Sequence, residues 1–235
     1  MNVETITYSL LGGILPALVW LAFWLREDYR HPEPRGLILR TFLFGMVAVI
    51  LVLPFQKLID VWLPGMTFVA IILWVILEEL FKFVAGYFGG IHTVEDNEPI
   101  DPIIYMITAA LGFVALENAL FLFGSLTGKD IIGGFITGNL RFIGASLLHV
   151  VSSGIVGFSL AFSFYKSKKE HVLLTIAALT VAVTIHTGFN LAIVHWGDSG
   201  VMLAFGLVWL GVVLLLLAFE KGKAIRRLHD RQKDI

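Results

Sequence analysis

The chain of 235 residues has no cysteine. Disulfides, thiolate nucleophiles and cysteine-ligated metals are therefore excluded. Charge is scarce as well: Asp, Glu, Lys and Arg make up 15% of the residues, against about 25% in an ordinary soluble domain. No nucleic-acid signature, lipidation motif, low-complexity tract or soluble domain stands out, and a net charge of −1 selects no partner. The first apolar segment lacks a basic flank and a small-residue cleavage site, so it is expected to remain as a helix.

What is abundant is apolar. Hydrophobic residues reach 57%, and the mean hydropathy is +0.86. A spanning helix needs about 20 mostly apolar residues. Seven segments meet this, at about 6–25, 37–55, 66–89, 102–124, 139–165, 171–195 and 200–219. The linkers are short and carry breakers and polar clusters, such as REDYRHPEPRG, QKLIDVWLPG and WGDSG. The expected fold is all-α: a polytopic membrane bundle of about seven helices in the lipid bilayer. It forms one integral-membrane domain over residues 1–235, with its functional core at about 66–195.

The basic residues orient the bundle. With seven spans, Arg26, Arg30, Arg35 and Arg40 share one side with Lys166, Lys168, Lys169 and the tail residues Lys221, Lys223, Arg226, Arg227, Arg231 and Lys233. Only Lys57 and Lys129 fall on the other side. The positive-inside rule then places the amino terminus outside and the carboxyl terminus in the cytoplasm of a cell membrane.

Against this apolar background, a few polar residues lie where they are costly. The third segment holds Glu78, Glu79 and Lys82; the fourth Glu117 and Asn118; the fifth Arg141 and His149; the sixth His186 and Asn190. A charge at mid-bilayer depth costs at least about 2.5–3.5 kcal/mol, so such groups face a protein interior or a wet cavity. Counting 1.5 Å per residue from the outer end of each span puts Glu117, His186, His149 and Glu78 within roughly 8 Å of one level, in the outer half of the membrane. Glu78 and Glu79 point about 100° apart on a helix. One is expected to face the cavity while Lys82 holds the other, since both spacings to the lysine permit a pair.

Carboxylates and imidazoles gathered at one level can bind zinc with an open position for water. A Glu–His pair can equally activate water without a metal. HExxH is absent, so any ligands come from different helices. Arg141 reads as an interfacial residue that snorkels, and the small residues Gly144, Ala145, Ser146, Ser152, Ser153, Gly154 and Gly157 read as helix packing. His31, His92, His171, His195 and His229 lie in loops or at span ends and read as solvated. Buried Glu, His and Lys also build proton relays, so a proton-coupled transporter or channel is the competing class, and a catalytically idle scaffold a third.

Glu78-Glu79-Leu80-Phe81-Lys82 resembles the EExxK motif of the PrsW family of intramembrane proteases. Phe113 to Glu117, followed by Asn118, resembles its second motif. His149, preceded by Arg141, resembles the third, and His186-Thr187-Gly188-Phe189-Asn190 the fourth. The loop Glu98-Pro99-Ile100-Asp101, leading into Ile103-Ile104-Tyr105, is also similar. The related type II CAAX prenyl endopeptidases and bacterial immunity proteins typically carry EExxxR and a second-motif histidine; Lys82 and Glu117 favour the PrsW branch. The resemblance implies a protease that cuts a single-pass membrane protein, an anti-sigma factor, near the outer face, in site-1 cleavage that starts a signalling cascade. By that resemblance Glu78 and Glu79 are the catalytic pair, with His149 and His186 completing the core. Glu117, His149 and His186 are then the expected holders of zinc or water, one of the two adjacent glutamates the base, Asn190 the oxyanion donor and Lys82 the group that tunes the glutamates.

Overall fold

The computed structural model describes residues 3–26, 29, 32–65, 67–128 and 140–233. Arg30, His31 and Lys129 lie outside them, as do the first residues of the expected third and fifth spans. The side chains of residues 226–233, among them Arg226, Arg227, His229, Arg231 and Lys233, are not described either.

The described chain is helical. Helix α1 spans Val3–Leu25, α2 Arg35–Trp62, α3 Phe68–Gly86 and α4 Asp101–Thr127. A π-helical turn, Tyr87–Ile91, extends α3. Another, Arg141–Ala145, leads into α5, Ser146–Phe162. The last helix runs over Lys168–Lys233 and contains two apolar spans, here α6 (Lys168–Trp196) and α7 (Ser199–Ile225). Six of these helices are long and apolar enough to cross a membrane. The seventh, α3, has 19 residues and carries Glu78, Glu79 and Lys82 within them. The chain is thus a polytopic helical membrane bundle.

Although α6 and α7 share one run of helical hydrogen bonds, they fold back on each other. The rings of Phe189 and Phe205 stack with centroids 6.2 Å apart. Sixteen residues of straight helix would separate them by about 24 Å. A Cβ placed on Gly200 would lie 2.1 Å from the carbonyl oxygen of Ala192, which fits the same reversal.

Helix boundaries follow local chemistry. The segment from Gln56 was expected to be a linker, but α2 continues to Trp62, because Gln, Lys, Leu and Ile are compatible with a helix and the first breaker is Pro64. Gly65 then turns the chain with φ 87°. Thr67 caps α3 by accepting a hydrogen bond from the Ala70 amide at 3.2 Å. At the start of α4, Asp101 Oδ2 accepts from the amides of Asn97 (2.9 Å) and Glu98 (2.7 Å). Pro102 sits at the position where a missing N–H costs nothing.

Helix α4 is the hub. Every residue from Asp101 to Ala115 is buried, as expected for a helix that is apolar on all faces. It packs against α1, α2, α3 and α5. Its crossing with α2 is made at backbone level: a Cβ on Gly112 would sit 1.9 Å from the Phe42 carbonyl oxygen, and one on Gly45 2.1 Å from that of Ala109. Small residues allow such approach where lipid supplies no hydrophobic drive.

Candidate active site

Helices α3, α4, α5 and α6 bring their polar residues together, and α2 adds one. Glu78, Glu79, Lys82, His149 and His186 are all buried. The rings of His149 and His186 lie 4.8 Å apart, edge to face. The common level expected from residue counting is thus realised as direct contact.

The two adjacent glutamates divide as their 100° separation requires. Glu79 turns inward. Its Oε1 accepts from Lys82 Nζ at 2.6 Å, lies 2.7 Å from His186 Nδ1 and accepts from Ser152 Oγ at 3.1 Å. Lys82 is fully enclosed and reaches His149 Nδ1 and Ser152 Oγ, both at 3.2 Å. Three donors thus meet three acceptors, the condition for keeping an ammonium buried. Glu78 turns instead towards a cavity of about 570 Å³, which Glu117, Arg141, His149, His186 and Asn190 also line. Its Oε1 accepts from Gln56 Nε2 at 2.9 Å, and its Oε2 lies 3.6 Å from His186 Nε2.

The fourth helix contributes a second ion pair. Arg141 donates through its guanidinium to Glu117 Oε2 and to Asn118 Oδ1, both at 2.5 Å. Its guanidinium also lies 3.9 Å from the centre of the Phe121 ring. The snorkelling reading of Arg141 is therefore corrected: the π-helical turn aims the guanidinium into the cavity, where a carboxylate is available. Glu117 Oε2 in turn lies 3.4 Å from His149 Nε2. The result is a paired arrangement. Arg141 neutralises Glu117, which faces His149; Lys82 neutralises Glu79, which faces His186. Each imidazole is oriented by a carboxylate that a cation pins. Glu78 alone of the three site carboxylates is held by a neutral amide.

Two of these residues were missed in the sequence. Gln56 falls in what read as a linker, and Ser152 among small residues assigned to packing. The other small residues of α5 do pack: Ser146 and Ser153 are fully buried, although Ser146 Oγ also accepts from Asn118 at 3.2 Å. Of the histidines read as solvated, His92 and His195 are exposed and His171 is half-buried. His92 stacks on Tyr87 with centroids 5.2 Å apart, and His171 Nδ1 lies 3.0 Å from Ser163 Oγ.

One ligand atom each from Glu78, His149 and His186 lies within 4.8 Å of the others. Two imidazole nitrogens and a carboxylate oxygen match the donor set of a catalytic zinc with an open position. The sequence expectation had Glu117 as the oxygen donor; it stands beside this group, its Oε2 shared between Arg141 and His149 Nε2.

The model of the PrsW family intramembrane metalloproteases matches residues 33–218. The chain is 28% identical to protease PrsW of Halalkalibacterium halodurans over 227 residues, covering 94% of this chain and 99% of that one. It is 27% identical to protease PrsW of Geobacillus kaustophilus, covering 86% and 88%, and 25% identical to that of Bacillus subtilis, covering 76% and 79%. No solved structure matches the chain. These matches, together with the buried Glu–His centre, define a membrane-embedded endopeptidase that acts on a membrane protein. The chain belongs to the PrsW family of intramembrane metalloproteases.

The opposite end of the bundle carries a different set of acids. Asp96 lies in the loop between α3 and α4, with Oδ1 buried and no hydrogen-bond partner among the described residues. Burial, reinforced by the Glu33 carboxylate, pushes its pKa up to about 7 from an ordinary 3.8. Folded Asp96 thus keeps its proton to near neutrality, whereas the unfolded chain releases it near pH 4. The contribution is full below that pH and is lost as pH rises through about 4 to 7. Thermal unfolding across this window is expected to show a smaller decline in Asp96→Asn than in wild type; equal declines would assign the slope to other groups.

Proposed function

We propose that this enzyme hydrolyses a peptide bond of a single-pass membrane protein near the outer membrane face, in the manner of site-1 cleavage of an anti-sigma factor. The observation carrying the reading is that Glu78, His149 and His186 present donors within 4.8 Å of one another, on the wall of a cavity in an intramembrane protease fold. Support for the outer face comes from two sources. The site lies in the half of the bundle nearest the α2–α3, α4–α5 and α6–α7 connections, and the basic residues place those connections outside. The anti-sigma substrate follows from the family resemblance of the four motifs.

Zinc is the metal this donor set fits, held by Glu78, His149 and His186. When bound it would polarise the scissile carbonyl and make water a better nucleophile near neutral pH. The chain's own groups then have distinct tasks. Glu79 orients His186 through Nδ1, as carboxylates do behind metal-bound histidines; Lys82 meets Nδ1 of His149, which leaves Nε2, beside Glu117, for the metal. Lys82 and Arg141 hold those carboxylates in place. Asn190, one turn beyond His186 and on the cavity wall, is placed to donate to the oxyanion. In a metal-free centre Glu78 would instead take the proton of the attacking water, as the cavity carboxylate without a cation partner.

Metal analysis of the detergent-purified enzyme separates the two chemistries. About one zinc per chain is expected, lost in His149→Ala/His186→Ala. Active wild-type enzyme with no metal would establish the Glu–His route. No metal and no cleavage of any tagged single-pass protein would defeat the proposal.

A further inference from the structure

The polar chain of the centre has one member outside the four motif helices. Gln56 lies on α2, two residues beyond Pro54, on a stretch that also brings Lys57 and Asp60 to the cavity wall. Its Nε2 is 2.9 Å from Glu78 Oε1. Among the described residues it is the donor within hydrogen-bond distance of that carboxylate. Glu79 and Glu117 are each fixed by a cation and face an imidazole; Glu78 has neither lysine nor arginine against it. Its orientation therefore depends on this one amide.

The consequence is geometric. A glutamate has three side-chain torsions, and a carboxylate at a cavity wall can rotate about the last of them at little cost. Holding Oε1 from α2 leaves Oε2 directed at His186 Nε2, 3.6 Å away, on the side where the imidazoles meet. A neutral donor does this without the charge neutralisation that fixes Glu79 and Glu117, so the carboxylate keeps its affinity for a proton or a cation. We propose that Gln56 is a positioning residue of the active centre, acting through Glu78, and that α2 is thereby part of the catalytic machinery. This rests on the assignment of Glu78 to the centre.

Gln56 also lines the cavity, so contact with substrate is the competing role. The two separate in kinetics. A residue acting through Glu78 changes kcat and leaves KM nearly fixed, whereas one that only binds substrate changes KM. Gln56→Ala is expected to lower kcat about 10–100-fold, the usual effect of losing a partner behind a metal-centre ligand. The same substitution in a Glu78→Gln background is expected to produce no further loss, because the interaction is already gone. A raised KM with unchanged kcat would overturn the proposal.

A second measurement needs neither metal nor activity. The infrared difference between wild type and Glu78→Gln isolates the Glu78 carboxyl stretch, and the same difference taken in the Gln56→Ala background is expected to show it shifted. An unshifted band would overturn the positioning role even if the protease reading stands. If wild type cuts no single-pass protein while the band shifts, the protease reading fails and the Gln56–Glu78 contact survives.

Discussion

Replacing Glu78 by Gln is expected to reduce cleavage by about 10²–10⁴-fold, the range for loss of a positioned acid–base group, while the melting temperature changes little. The substitution is nearly isosteric and keeps a carbonyl oxygen for the Gln56 amide. It removes the ability to take a proton and weakens the site as an oxygen ligand, so the loss is expected with or without zinc. Stability is spared because Glu78 neutralises no buried cation: Lys82 is satisfied by Glu79, His149 and Ser152. Cleavage of a tagged single-pass substrate, followed beside thermal unfolding, checks both halves. Full activity in this variant would remove Glu78 from the chemistry.

The opposite pattern is expected at Lys82. Its ammonium is fully buried and 2.6 Å from an equally buried carboxylate. Removing one partner of such a pair leaves an uncompensated charge and typically costs about 3–5 kcal/mol. Lys82→Met should therefore lower stability by that order, read in a denaturant titration in detergent. The double variant Glu79→Gln/Lys82→Met should recover much of it, since no lone charge remains. Activity is not expected to return with stability, because His186 Nδ1 then faces an amide instead of a carboxylate. Independent, additive losses in the two single variants would mean that the residues are not coupled as the 2.6 Å contact implies.

Much of this centre is legible in the sequence. The expense of charge in an apolar run singles out Glu78, Glu79, Lys82, Glu117, His149 and His186, and a constant rise per residue puts four of them, Glu78, Glu117, His149 and His186, near one level. Helical spacing also required the two glutamates to diverge. What it left open was which one faced the cavity, since Lys82 stands at i+3 from one and i+4 from the other, and both spacings allow a pair. That choice is made by α5 and α6, whose Ser152 and His186 converge on Glu79. Partners across helices have no sequence spacing to reveal them. Gln56 and Ser152 are ordinary residues for a span end and a packing face, and only their neighbours give them a role. Arg141 was misread for a related reason: position near a span end is compatible with snorkelling, while the π-helical turn that redirects it leaves no clear mark in the residues RFIGA.

The crossing of α2 and α4 at Gly45 and Gly112 gives α2 a mechanical character. Backbone meets backbone there, so the contact serves as a fulcrum with no side chain to cushion it. Gln56 stands eleven residues along the same helix, about 16 Å from that point. Pro54 lies between, where the helix loses one hydrogen bond and some stiffness. A tilt of about 5° at the fulcrum moves Gln56 by roughly 1.4 Å over that lever arm. That displacement is enough to part the amide from Glu78, because a contact near 2.9 Å ceases to be a hydrogen bond beyond about 3.5 Å. Bilayer thickness and an arriving substrate helix both act on the tilt of a spanning helix. A tilt of α2 about the glycine contact would therefore be felt at Glu78, through the amide of Gln56.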